Sequence, residues 1–455
     1  MIKKIRRLFF GKVKDQDNKE LVKGGAFAFV MKITGMGFNY LFVFVLARLY
    51  GATGSGIYSI FQTVFQFFAN FGKLGYDILM VREVAQYNAK NQWGSIKDLY
   101  FKVIKVNVTA SVICSFVLYF SSDWISTYIF LKPTLGKYFQ ISSIAILPFV
   151  LHSVHADCFR GMKKILFYSF FQNVLTIAIT GLLLCASYFI IHDRNVPVII
   201  FVTAVFISSI ISAWFWWNKS PFMEGGDGEK IVLGEKTKIA FSLFLTAILQ
   251  VVRGWTDTVF LGRYYTEADV GVYKVAFRIA TITSLTLTAF LLTVAPKIAE
   301  LHAKGEMKRL AIVVQNTTKL IFWTSAPILI LFIVFPYFFM GIFGKEFLIG
   351  ELALMILSFG QFINASTGPV GNLLMMTGKQ DVNRNIVIGT TIFTVALNAF
   401  VIPQYGIIGA SVVNVIGVFL YNVIPYFLVK RYFGFYTFDV KHIFSFSKKG
   451  FLKQI

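Results

Sequence analysis

Apolar residues in this chain run on for about 20 positions at a time, the length of helix that crosses a hydrocarbon core of about 30 Å. Such runs fall at 24–47, 56–80, 102–121, 138–158, 167–191 and 196–217, and again at 239–262, 270–296, 311–335, 350–376, 385–403 and 406–429. Twelve spans are predicted, and an even number puts both termini on one side. The longest internal polar interruption, 218–238, is centred on Glu224-Gly225-Gly226-Asp227-Gly228-Glu229-Lys230 and reads as a linker between two six-helix halves, 24–217 and 239–430.

Polar residues inside the runs form stripes. In the seventh span Thr246, Gln250, Arg253 and Asp257 recur at intervals of 4, 3 and 4, and in the eighth Lys274, Arg278, Thr281, Ser284 and Thr288 at 4, 3, 3 and 4, so each set shares one helical face. The second span carries Gln62, Gln66, Asn70, Lys73 and Asp77 at 4, 4, 3 and 4, and the first has Lys32, Gly35 and Asn39 on one face. An Arg, Lys or Asp near a bilayer's centre costs about 2.5–3.5 kcal/mol on insertion scales, so these stripes need a lumen or partners to face. The blander alternative is that Arg253 and Asp257 neutralise each other at i,i+4 and only join helices.

The striped spans are related by an internal repeat. Arg48, Gly56, Ile57 and Tyr58 match Arg263, Gly271, Val272 and Tyr273 at an offset of 215; Val84, Ala85, Ala89 and Lys90 match Ile298, Ala299, Ala303 and Lys304 at 214; Gly161 matches Gly378 at 217. Each half has an even number of spans, so the copies point the same way, which predicts a pseudo-twofold axis along the membrane normal and a cleft between the halves. The expected fold is an all-α integral membrane protein of twelve transmembrane helices in two pseudo-symmetric six-helix bundles around a central cationic cleft. Spans 1, 2, 7 and 8 line it, with Asn39, Gln62, Gln66, Asn70 and Gln250 as neutral polar lining. Lys32, Lys73, Arg253, Lys274 and Arg278 stand there against Asp77 and Asp257.

Composition agrees. With 455 residues, 56% of them hydrophobic and 15% charged, the chain is not a soluble globule. Its net charge of +22 would suggest nucleic acid in a soluble protein, but here position decides: 31 of the 44 Lys and Arg lie in the termini and even-numbered loops and only six on the opposite side. The positive-inside rule makes both termini cytoplasmic. Residues 1–23, basic and without the apolar core of a signal peptide, read as a cytoplasmic lead-in resting on anionic lipid, and 431–455 as a basic tail. Cys114, Cys158 and Cys185 lie in or at the ends of spans and imply no disulfide framework.

A cationic path through a membrane suits an anionic substrate, because Arg grips phosphate oxygens in a two-point fork and Lys supplies a mobile point charge. Trp255 has two readings, a ring near the lumen that stacks on a sugar face and the commoner one of an anchor at the membrane interface. No nucleotide-binding loop occurs, and Gly234-Glu235-Lys236-Thr237 is not one, so an ATP-driven engine is not expected. His152, His155 and Asp157 only imitate a metal site; no metal or other cofactor is expected beyond Na⁺ or H⁺ as a coupling ion. An enzyme is not expected either: a membrane glycosyltransferase calls for clustered acids and a polymerase for a large outer loop, whereas the longest outer loops, near 122–137 and 336–349, are short. A multidrug or cation antiporter is the alternative within transport, and it calls for an acidic cavity.

Several stretches carry a family resemblance. Thr256-Asp257-Thr258-Val259-Phe260-Leu261-Gly262, Val270-Gly271-Val272-Tyr273 and Ala295-Pro296-Lys297 resemble the seventh and eighth helices of bacterial polysaccharide-export flippases. So do Lys23-Gly24-Gly25, Leu49-Tyr50-Gly51, Thr377-Gly378-Lys379 and Pro403-Gln404-Tyr405-Gly406-Ile407-Ile408-Gly409-Ala410. The resemblance is to the multidrug/oligosaccharidyl-lipid/polysaccharide (MOP) exporter superfamily, and within it to the O-antigen flippases of the Wzx type. It implies alternating-access transfer of undecaprenyl-diphosphate-linked oligosaccharide across the bacterial inner membrane, from the cytoplasmic to the outer leaflet, drawing on an ion gradient. The implied partners are membrane lipids, a polysaccharide polymerase and chain-length machinery, with no nucleic acid. Carried to this chain, the diphosphate-binding candidates are Arg253, Arg278, Lys274, Lys32 and Lys73, and the candidates for ion coupling or charge pairing are Asp257 and Asp77. Those assignments rest on the stripes.

Overall fold

Every predicted run is helical in a computed structural model that describes residues 16–188, 196–220, 231–440 and 443, the side chains of 16–29, 32, 188, 235, 246, 292 and 293 excepted. The linker's centre and most of both basic termini lie outside the described residues. Helix α1, Gln16–Lys73, holds the first two runs. Straight, it would reach about 87 Å; instead Gly51 breaks it at φ 66°, a conformation only glycine adopts cheaply. Phe42 and Tyr58 then meet with ring centroids 5.2 Å apart, so the two arms fold back on each other.

Helix α2 (Tyr76–Ala89) follows, then α3 (Trp93–Trp124) with a π-turn at Ile125–Ile129. The fourth run is a pair bent by 49°, α4 (Gly136–Ser143) and α5 (Ile146–Gly161). The fifth is α6 (Ile165–Phe170), a π-turn at Phe171–Leu175 and α7 (Thr176–Tyr188); the sixth is α8 (Val196–Lys219). The second half opens with α9 (Leu233–Tyr264). Next come α10 (Glu267–Ala280), a 3₁₀ turn at Thr281–Ser284 and α11 (Leu285–Ala303). Helices α12 (Met307–Val334), α13 (Pro336–Gly341), α14 (Glu351–Ser366) and α15 (Val370–Met376) follow. The last two runs form α16 (Gln380–Phe433), which turns at Gly406, φ 51°. Ten helices or bent pairs among the described residues are long and apolar enough to cross a membrane. Helices α1 and α16 each hold two of the predicted runs on either side of a glycine break, so this count is consistent with the twelve runs expected.

The halves meet through α1 against α9 and α10, and one apolar core around Phe61, Phe65, Phe139 and Tyr273 runs through the contact. The repeat partners meet reciprocally. Arg48 Nε donates to Ile342 O across the halves at 2.6 Å, while Arg263 donates the other way to Tyr128 O at 2.6 Å and Ile129 O at 2.8 Å. Glu346 accepts from Ala52 N, 2.8 Å, at the start of the second arm of α1. Lys132 donates to Gly262 O, 2.9 Å, and to Tyr265 O at the end of α9. A carboxylate thus meets a helix N-terminus and an ammonium a helix C-terminus, both favourable. Gly56 and Gly271 make this approach possible: a Cβ on Gly56 would stand 1.6 Å from Glu267 O, and one on Gly271 2.1 Å from Ala52 O.

Candidate functional site

The first cluster of striped residues lines a cavity of 550 Å³ between α1, α5, α7, α9 and α10. Asn39 comes from the first arm of α1, and Gln62, Gln66 and Lys73 from the second. Lys274 and Arg278 enter from α10, and Trp255 from α9. A capping box starts α10 at Thr266, which exchanges hydrogen bonds with Asp269, and this sets the register that turns Lys274 and Arg278 inward.

The electrostatics of this cavity are uneven. Lys73 sits 3.7 Å from Asp77 and 5.2 Å from the centre of the Phe149 ring. Lys274 and Arg278 have no carboxylate partner among the described residues, and neither side chain donates a hydrogen bond there. Arg278 lies 5.8 Å from the centre of the Tyr40 ring, whose hydroxyl meets Thr281 Oγ1 at 3.0 Å. No Asp or Glu lines the cavity. Two of its amide oxygens, Asn39 Oδ1 and Gln62 Oε1, are buried without a hydrogen-bond partner.

A second chamber of 260 Å³ lies inside the second half and takes Gln250, Arg253 and Asp257. Gly254 and Phe277 line both chambers and form the wall between them. The expected cleft is therefore divided: the face carrying Gln250, Arg253 and Asp257 turns away from the one carrying Lys274 and Arg278. Asp257 is not neutralised by Arg253. It accepts hydrogen bonds from Tyr273 Oη (2.5 Å), Asn398 Nδ2 (2.8 Å) and Asn414 Nδ2 (3.0 Å). Arg253 stacks over Tyr421, its Cζ 3.8 Å from the ring centre. The cationic surplus consequently belongs to the larger cavity, while the smaller chamber holds one charge of each sign.

Two candidates sit elsewhere. Asn70 is absent from the cavity lining, because its short amide turns back on its own helix and donates to Gln66 O at 2.8 Å. Asp77 lies below the cavity, where it pairs with Lys73 and accepts from Ile78 N, 2.9 Å, in the first turn of α2. The side chain of Lys32 lies outside the described residues.

The stripes missed the aromatic and amide partners Tyr58, Tyr421, Asn398 and Asn414. Asn398 and Asn414 are 16 residues apart on α16, and only the turn at Gly406 brings both to one carboxylate. His152 also lines the larger cavity, its ring nitrogens each 3.1 Å from a carbonyl oxygen, of Ser208 and of Phe171 in the π-turn. His155 meets Tyr100 Oη at 2.9 Å and Ser212 Oγ at 3.2 Å. These contacts hold helices together, and no group of three metal-ligating side chains occurs among the described residues.

Comparison with known proteins places this geometry. The family model described as polysaccharide biosynthesis protein matches residues 21–302, and that described as MatE matches 242–400. A probable low-salt glycan biosynthesis flippase of Haloferax volcanii is 27% identical over 159 residues, 35% of this chain and 34% of that protein. This chain thus aligns with about a third of that relative's length. An uncharacterised membrane protein of Methanocaldococcus jannaschii is 22% identical over 391 residues, 79% of this chain and 75% of that one. Among solved structures, the lipid II flippase MurJ in an inward closed conformation superposes with a TM-score of 0.70 at 14% identity, covering 93% of this chain and 89% of that one. An inward-facing multidrug resistance MATE family transporter of the MOP superfamily gives 0.69 at 13%, covering 89% and 98%.

Proposed function

This chain belongs to the polysaccharide biosynthesis protein family and has the fold of the MOP superfamily, and from that premise we propose that it is a flippase for lipid-linked oligosaccharide. The observation that carries the proposal is the 550 Å³ cavity into which Lys274 and Arg278 project with no carboxylate in its lining and none within ion-pair distance of either among the described residues. Unpaired cations within a membrane are costly, so an anionic ligand that offsets them gains much of what their burial loses. A diphosphate fits: the Arg278 guanidinium offers a fork for two oxygens and Lys274 a point charge one helical turn away. The amide side chains of Asn39 and Gln62 line the cavity, where a change of rotamer would offer sugar hydroxyls an acceptor, and Trp255 and Tyr58 supply ring faces. A prenyl tail can stay in lipid throughout, while the headgroup, whose desolvation is the main barrier to crossing, passes through the polar cavity.

In this reading the substrate is an undecaprenyl-diphosphate-linked repeat unit, moved outward across a bacterial inner membrane with both chain termini cytoplasmic. A polysaccharide polymerase and its chain-length machinery receive it. Coupling is assigned to Asp257. Its carboxylate is buried and held by three neutral donors, two of them amide nitrogens, so that a proton or a cation could replace them there.

The test uses proteoliposomes with a fluorescent polyprenyl-diphosphate oligosaccharide and an external quencher, comparing wild type with Lys274→Ala and Arg278→Ala. Movement in wild type that falls about tenfold or more in each variant supports the reading, since hydrogen bonds to charged groups contribute about 1.5–3 kcal/mol. Movement that survives both substitutions sinks the site. A wild-type protein that moves no lipid under Na⁺ or H⁺ gradients yet exports cationic dyes is a drug antiporter instead.

A further inference from the structure

His152 and His155 stand one turn apart on α5, and their rings are held in different ways. His155 Nδ1 lies 3.2 Å from Ser212 Oγ, and its Nε2 lies 2.9 Å from Tyr100 Oη. Ser212 Oγ gives its own hydrogen to Ser209 O, 3.0 Å away, so it accepts from Nδ1, and the Tyr100 hydroxyl donates to Nε2. A neutral ring matches every atom there. His152 has no such freedom. Its Nδ1 faces Ser208 O and its Nε2 faces Phe171 O, each at 3.1 Å, and a carbonyl oxygen only accepts. A neutral imidazole has a single N–H, so one nitrogen of His152 would point a lone pair at an oxygen. Only the imidazolium, with a hydrogen on both nitrogens, satisfies both contacts.

The surroundings of His152 oppose that charge. The residue is 4% exposed, and Lys73 from α1 is the cation that bears on it. None of the carboxylates on the neighbouring elements is free to offset it. Asp77, at the start of α2, is taken by Lys73 at 3.7 Å, and Glu83, further along α2, pairs with Lys236. Asp157, on α5 itself, lies among Asp77, Lys73 and Arg160. Tyr100 of α3 serves His155, Tyr168 of α6 lies under Arg160 at 5.1 Å, and α8 has no ionisable residue before Lys219. The larger cavity, which His152 lines, adds Lys274 and Arg278 and no Asp or Glu. What a charged His152 lacks is therefore what the cavity as a whole lacks, an anion.

We propose that His152 is a proton-binding site of the cavity, charged when an anionic diphosphate headgroup occupies the cavity and neutral when it is empty. The proposal rests on the flippase reading and adds to it a proton taken up with the substrate. Both ring nitrogens are engaged by the backbone, so His152 acts on the anion by its charge and not as a donor. In the orientation proposed above, His152 and Lys73 lie six and seven residues before the cytoplasmic ends of their runs, whereas Lys274 and Arg278 lie four and eight after the outer start of theirs. Lys73 is offset by Asp77, so with His152 neutral the surplus charge sits toward the outer end. Protonation extends it to the end where a headgroup made in the cytoplasm enters. Proton and anion each tighten the other by the same factor, a linkage distinct from the gradient coupling assigned to Asp257.

The experiment uses the full chain in lipid nanodiscs and a polyprenyl-diphosphate disaccharide, a diphosphate diester whose own charges do not titrate near neutral pH. Its affinity is measured from about pH 5.5 to 8.5, where imidazole titrates, for wild type, His152→Gln and His155→Gln. Histidine ¹⁵N spectra are recorded with and without it, the His152 signal being the one missing from His152→Gln. Wild type and His155→Gln should bind more weakly as the pH rises, by up to about tenfold per unit, the limit for one linked proton. His152→Gln should give a nearly level profile, and the wild-type His152 ring should pass from one protonated nitrogen to two when the lipid is added. A ring that keeps a single protonated nitrogen in the complex, or a slope unchanged in His152→Gln, overturns the proposal and leaves the flippase reading standing, because the diphosphate still binds. A ring already doubly protonated in the empty protein at neutral pH also overturns it. If His152→Gln is not monodisperse on size exclusion, binding heats of wild type in buffers of different ionisation enthalpy count the protons taken up: one supports the proposal and none overturns it. Wild type that binds no diphosphate lipid at any pH removes this proposal and the flippase reading together.

Discussion

Asp257 shows how much a single charge depends on its partners. Its charged type and helical face are readable in the sequence, but its three donors come from α10 and from both arms of α16. Asp257→Asn keeps the shape and removes the charge. We expect folding to persist and flipping to lose its dependence on an imposed Na⁺ or H⁺ gradient, measured as rate against each gradient in proteoliposomes; a variant that stays gradient-driven would move coupling elsewhere. A residue outside the spans gives the pH counterpart. Glu300 bonds Lys297 at 2.8 Å and Lys304 at 2.6 Å, and those hydrogen bonds hold its carboxyl down to about 2. A depressed carboxyl contributes stability above its ordinary value, 4.5, and loses it as pH falls toward about 2. The group is solvent-exposed, so the contribution is small: Glu300→Gln should leave the thermal midpoint at pH 7 nearly unchanged and flatten its acid dependence only slightly.

At the scale of the element, the twelve runs were legible because hydrophobic length is a one-dimensional signal. The turns were partly legible: Gly51 and Gly406 sit in motifs that end runs, while the π-turns at Ile125–Ile129 and Phe171–Leu175 leave no mark in periodicity. Gly56 is the element-scale test. A side chain there would press into the backbone of α10, so Gly56→Val should destabilise by about 1–3 kcal/mol or spring the outer contact open. The thermal midpoint should fall, and a cysteine at Gln62 should react faster with an impermeant maleimide. Gly37→Ala, where added atoms meet nothing within 4 Å, is the control and should keep or raise the midpoint.

The whole molecule is two halves joined at several places. On the side opposite the reciprocal arginines, Phe71 and Phe244 meet across the halves at 5.0 Å, Tyr76 Oη meets Thr237 Oγ1 at 2.9 Å, and Lys236 pairs with Glu83. If transport requires the halves to part and rejoin, bridging Phe71→Cys to Phe244→Cys with a short, reducible bis-thiol reagent, after Cys114, Cys158 and Cys185 are replaced by Ser, should arrest flipping. Reductant should restore it. Undiminished movement in the bridged protein would mean that this contact stays closed throughout the cycle.

The sequence by itself determined the class of molecule, its long apolar helices and the identity of the charged residues within them, because insertion cost and helical periodicity act locally along a chain. Only the tertiary structure decided which charges share a space. The stripes on α9 and α10 are equally polar, yet Gly254 and Phe277 fall between them and send Arg253 and Asp257 to one chamber, Lys274 and Arg278 to the other. That partition depends on the rotation of packed helices about their own axes. Side-chain contacts between segments far apart in the chain set that rotation, and a pattern read along one segment does not contain them.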